Sequence, residues 1–110
     1  MIKAIVYYDE TGKVIKGFRI SGHAGYADSG KDIVCSAVSM LTINTCNSIE
    51  SFTNDKFVCQ EDEVNGSIEL MMKDIGEKSQ LLLASFVLGL SSVKKAYGQK
   101  YIKITNESNP

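Results

Sequence analysis

The stretch over residues 76–97 constrains the fold of this chain more tightly than any other. Leu81, Leu82, Leu83, Phe86, Val87, Leu88, Leu90 and Val93 recur at helical spacing and cover most of one helix's circumference. A helix that is apolar on nearly every side must be buried on nearly every side. A chain of 110 residues holds one modest core, and one sheet face cannot cover all of this helix. Part of it, with Met71 and Met72, is therefore expected to form a self-association surface, and a homodimer is the simplest closure.

The rest of the chain supplies that sheet. Apolar, β-branched or aromatic residues dominate positions 2–9, D-E-T-G-K makes a turn, and residues 14–21 alternate Val14, Lys16, Phe18 and Ile20 against Ile15, Gly17 and Arg19. This is a β-hairpin. A first helix runs to about Phe52, with Val34, Val38, Leu41, Thr45, Ile49 and Phe52 forming a stripe at three- and four-residue spacing. Residues 56–63 and 67–73 read as strands around the turn signal Asn65-Gly66. Gly98 ends the second helix, residues 100–105 read as a last strand, and 106–110 as a frayed polar tail. The order β-β-α-β-β-α-β predicts an α+β fold, a mixed α/β sandwich with a sheet of about five strands and two helices packed on it. Residues 1–110 are expected to form a single domain.

Composition narrows the function. The net charge is −1, so the strongly basic face of a nucleic-acid binder is missing, and no direct nucleic-acid binding is expected. Cys35, Cys46 and Cys59 have neither C-x-x-C nor histidine-rich spacing, which indicates no disulfide framework and no metal site. A reducing cytoplasm is the natural home, and no cofactor motif is present. The N-terminus becomes charged too early for a signal peptide, and no apolar run approaches the ~20 residues of a membrane span. Cys46 and Cys59 read as packing residues. Glu61, Asp62 and Glu63 form an acidic cluster that would attract a basic partner if it bordered a cleft, although such runs near hairpin tips are usually just solvated.

Chemistry concentrates between Ser21 and Ser39. His23, the only histidine, leaves a strand, and Cys35 enters a helix for which Asp32 or Ser29 is a plausible N-cap. A helix N-terminus and a nearby imidazole both favour a thiolate, and first-turn N–H groups, including that of Cys35, could hold an oxyanion. Gly22, Gly25 and Gly30 make residues 22–31 a flexible loop able to act as a lid. Asp32 could cap, orient His23, or do both. Ser39 lies one turn beyond Cys35 on the same face. A bland account also fits, with His23 solvated and Cys35 a small packed hydrophobe.

The run G-H-A-G-Y-A-D-S-G-K-D-I-V-C-S-A-V-S, from Gly22 to Ser39, resembles the signature of the ribosomal-processing cysteine protease family called Prp. The resemblance spans the whole chain. It implies a homodimeric cysteine endopeptidase that removes the N-terminal extension of a large-subunit ribosomal protein precursor, number twenty-seven. Cys35 then matches the nucleophile and His23 its proton-transfer partner, with the intervening loop over the site. It also implies a substrate that is apolar and aromatic just before the cut. On the residues alone two alternatives stay open: a non-catalytic ribosome- or RNA-associated adaptor, and a thiol acyl-transfer enzyme acting on something other than a peptide.

Overall fold

The computed structural model describes residues 1–28 and 32–108. The elements follow as β1 (Ile2–Tyr8), β2 (Ile15–Ser21), α1 (Ile33–Phe52), β3 (Phe57–Asp62), β4 (Ser67–Met72), α2 (Glu77–Tyr97) and β5 (Ile102–Ser108). This is the expected order. The five strands form one sheet in the order β3-β4-β2-β1-β5. Both hairpins are antiparallel, β4 joins them by pairing antiparallel with β2, and β5 runs parallel to β1 at the far edge.

Alternation along the strands decides where the helices go. Ile2, Ala4, Val6, Phe18, Ile20, Leu70, Met72 and Ile102 are buried, so one face of the sheet is apolar and both helices cover it. The rings of Phe18 and Phe86 stack with centroids 4.3 Å apart, seating α2 on β2. The two helices pack side by side. At Gly89 a side chain would begin 2.7 Å from Leu41 Cδ2, so the absence of a Cβ sets how closely α2 approaches α1.

Ile15 departs from the expected alternation. It is buried with Phe18 and Ile20, although period two places it on the opposite face. The cause is a bulge: the register moves from Tyr7↔Gly17 to Tyr8↔Ile15, so Lys16 is the extra residue and Ile15 turns inward. Gln80 of α2 then donates to the Ile15 carbonyl at 2.7 Å and accepts from its N–H at 2.8 Å. The irregular backbone is thus paired by a helix side chain.

Other expectations need correction. In α1 the buried set is Val34, Val38, Thr42, Thr45 and Ile49, whereas Leu41 is only partly buried and Phe52 is 67% exposed. Met72 sits inside the core, so it belongs to no association surface, and Met71 projects from the opposite face of β4. Leu81 and Leu88 of α2 are 71% and 69% exposed, so α2 does keep an uncovered apolar side. The tail expected to fray from residue 106 is strand as far as Ser108, with Asn106, Glu107 and Ser108 opposite Val6, Tyr7 and Tyr8. At a sheet edge, backbone pairing continues after the apolar pattern stops. Residues 109–110 lie outside the described residues.

Candidate active site

His23 is placed by the end of β2. Gly22 adopts φ +84, and a side chain there would begin 2.5 Å from the Met1 carbonyl oxygen, so only glycine turns the chain out of the sheet at this point. The turn leaves His23 exposed beside the β3–β4 hairpin. Its Nε2 lies 3.9 Å from where a side chain on Gly66 would begin. The pairing Ser21↔Ser67 brings that hairpin turn to the histidine.

Asp32 caps α1 and fixes the position of Cys35. Its Oδ1 accepts from the N–H groups of Val34 and Cys35, both at 3.0 Å, and its Oδ2 accepts from the Tyr26 N–H at 3.0 Å. Of the two candidate caps, this is the one the described residues show; Ser29 lies outside them. The Cys35 N–H holds the Asp32 carboxyl below its ordinary value; burial opposes this, while the Tyr26 N–H, the Cys35 side chain and the Ala27 N–H add to it. The hydrogen bonds of Asp32 go to Val34, Cys35 and Tyr26 and not to His23. Three N–H donors therefore absorb the charge that would otherwise oppose a thiolate at Cys35.

A carboxyl whose folded value is depressed stabilises the fold above its unfolded value of about 3.9 and loses that contribution as pH falls through the folded value. Asp32→Asn keeps the shape and removes the charge. It is expected to melt below the wild type near neutral pH, with the gap narrowing in strong acid, below the unfolded value. Thermal melts at both pH values check this, and an equal deficit at each would remove the charge from the explanation.

Cys35 is half-buried in the first turn of α1, and its Sγ accepts from the Ala24 N–H at 3.2 Å. His23 and Cys35 line one cleft of about 230 Å³. Ile2, Ile20, Val38, Ile43 and Ile68 give it an apolar lining, and Ser39 also faces it, as expected from its helical spacing. Glu61, Asp62 and Glu63 wall the same cleft, so the acidic cluster does border the site. Among the described residues, no group of three or more His, Cys, Asp or Glu side chains is gathered to hold a metal ion.

Two features of the site differ from expectation. The first-turn N–H groups of Val34 and Cys35 are taken by Asp32 Oδ1, and that of Ser36 by the Asp32 carbonyl at 3.0 Å, so they are not free for an oxyanion. The donor beside the sulfur is instead the Ala24 N–H, a backbone group that no residue-type signal announces. The near half of the loop is also anchored. Tyr26 sets its ring edge-on to Tyr101 and Tyr97, with centroids 5.1 and 5.8 Å away, in addition to its bond to Asp32. Gly25 has φ +70, as a glycine-dependent turn requires, and Gly30 lies outside the described residues.

The chain as a whole is similar to known proteins. The family described as cysteine protease Prp matches residues 1–103. The ribosomal processing cysteine protease Prp of Staphylococcus aureus strain NCTC 8325 is 25% identical over 100 residues, which cover 90% of this chain and 93% of that protein. The protein of the same name from Bacillus subtilis strain 168 is 24% identical over 99 residues, covering 86% and 88%. The crystal structure of the S. aureus protease with a covalently linked product peptide has the same fold, with a TM-score of 0.90 at 22% identity over 97% of this chain and 100% of that one.

Proposed function

The chain is a cysteine protease of the Prp family, and from that premise we propose that it removes the N-terminal extension of a precursor of large-subunit ribosomal protein twenty-seven. In this reading Cys35 is the nucleophile and His23 the general base and acid. The His23 imidazole takes the thiol proton, and the thiolate attacks the carbonyl carbon of the scissile bond. Negative charge moves to the carbonyl oxygen, and the Ala24 N–H, which donates to the Cys35 sulfur in the resting site, is the backbone donor that can turn to it once the sulfur is acylated. The C–N bond then breaks as His23 protonates the leaving amine, which leaves a thioester on Cys35. Water, deprotonated by His23, hydrolyses the thioester and restores the thiol.

The observation that carries this reading is the cleft itself, where the thiol and the imidazole share an apolar lining with an acidic wall. The apolar lining suits an apolar or aromatic side chain just before the cut. Glu61, Asp62 and Glu63 suit the basic body of a ribosomal protein. Asp32 supports the site by seating Cys35, and Ser39 by its place in the cleft. The near half of the loop, residues 22–28, borders the site and is held there by the Tyr26 anchor.

The same reading puts the enzyme in a reducing cytoplasm, working as one domain without a cofactor. Two copies associate through the outer side of α2, where Leu81 and Leu88 lie uncovered. Sedimentation equilibrium reading 12.0 kDa at every working concentration would exclude the dimer.

Incubation with a precursor carrying the N-terminal extension, read by mass spectrometry, tests the substrate. The expected result is a single cut that frees the extension. A precursor left intact by folded enzyme with an alkylatable Cys35 would overturn the assignment.

A further inference from the structure

Cys46 and Cys59 take no part in the cleft, yet the fold brings them together. Cys46 lies in the middle of α1 and Cys59 in edge strand β3, and their Sγ atoms are 3.8 Å apart. Cys59 is exposed and Cys46 half-buried, which corrects the sequence reading of Cys59 as a packed residue. We propose that this pair is an oxidisable dithiol, a covalent modification site that closes to a Cys46–Cys59 disulfide when the protein meets a hydroperoxide.

The exposed thiol is the one a peroxide reaches. The Cys59 thiolate attacks one peroxide oxygen, the O–O bond breaks, and Cys59 becomes a sulfenic acid as hydroxide leaves and takes up a proton to form water. The Cys46 sulfur then attacks the Cys59 sulfur. The S–S bond forms, the S–O bond breaks, and the second water leaves with the Cys46 proton. In sum two thiols and hydrogen peroxide give one disulfide and two waters.

The division of labour follows from the surroundings of each sulfur. Burial, and then the charge and hydrogen bond of Cys59, push the Cys46 thiol up to about 12, so Cys46 is a poor first target. Once Cys59 is a neutral sulfenic acid, its share of that effect is gone. The sulfurs must close from 3.8 Å to about 2.05 Å, a movement that side-chain rotation on two residues can divide between them.

The position gives the bond a consequence. α1 carries Cys35 in its first turn, and β3 continues into Glu61 and Asp62, which wall the cleft. Among the described residues, β3 pairs on one side only, with β4. A disulfide would clasp this edge strand to the helix that bears the nucleophile.

The test uses the Cys35→Ala chain, in which these two are the remaining cysteines, treated with hydrogen peroxide, denatured and alkylated. The expected product is a monomer about 2 Da lighter than the reduced chain, with neither thiol alkylatable and a single linked peptide containing Cys46 and Cys59. Reductant restores both thiols, Cys59→Ser and Cys46→Ser each abolish the bridge, and the wild type shows the same linked peptide. The proposal is overturned if Cys59 gains about 32 or 48 Da as sulfinic or sulfonic acid, or crosslinks two chains, while Cys46 stays alkylatable. The readout is thiol state, so it is independent of what the enzyme cuts.

Discussion

Cys35→Ala is expected to lower kcat for precursor cleavage by at least ~10⁴-fold while leaving KM nearly unchanged. Without sulfur at this position no thioester can form, and the remaining groups can only bind the peptide and polarise its carbonyl. The fold should tolerate the change. Cys35 is half-buried and its sulfur accepts from the Ala24 N–H, so the stability cost is about 1–2 kcal/mol. Neither other cysteine can replace it. Cys46 is eleven residues further along the same helix, about 16 Å away at ~1.5 Å per residue, and it pairs with Cys59 away from the cleft. Steady-state kinetics on the purified variant, with melting to show that it is folded, check the prediction. Cutting by the alanine variant at the wild-type rate would mean that the nucleophile lies elsewhere.

How far the site could be read from sequence depends on how local its causes are. The placing of Cys35 was legible because Asp32 and the helix it opens are adjacent in the chain. The oxyanion assignment was not, because the carboxylate that caps α1 also uses up the Val34 and Cys35 N–H groups. Sequence shows a capping residue but not which donors remain after capping. Thr42 was overlooked for a similar reason. Its Oγ1 donates to the Val38 carbonyl at 2.7 Å, which lets a hydroxyl enter the core that an apolar pattern would never select.

Non-local pairing accounts for the rest. Glu61, Asp62 and Glu63 border the cleft only because β4 pairs with β2 and sets Ser67 opposite Ser21, next to His23. The Cys46–Cys59 approach likewise needs α1 to lie over β3. The inward turn of Ile15 needs a bulge that no residue type in β2 signals, and β5 lies beside β1 only through the passage of α2 across the sheet. In each case hydrophobic period gave the element, and register chose its neighbours.

His23→Ala carries the second large effect. Loss of a positioned acid and base is expected to lower kcat/KM by about 10²–10⁴-fold. The residue is exposed, lines the cleft and lies outside the buried core, so its loss is not expected to unfold the chain. The rate alone, however, would not separate proton transfer from a mere change in cleft shape. Iodoacetamide labelling of Cys35 against pH does, because an imidazole that exchanges a proton with a thiol imprints its own step on the profile. The wild type should show that step, and His23→Ala should remove it. A profile unmoved by the substitution would uncouple the two side chains and reopen the reading of Cys35 as a packed cysteine. If instead the step vanishes and KM holds while kcat falls, the substitution has removed a group that acts on the reacting atoms rather than one that shapes the cleft.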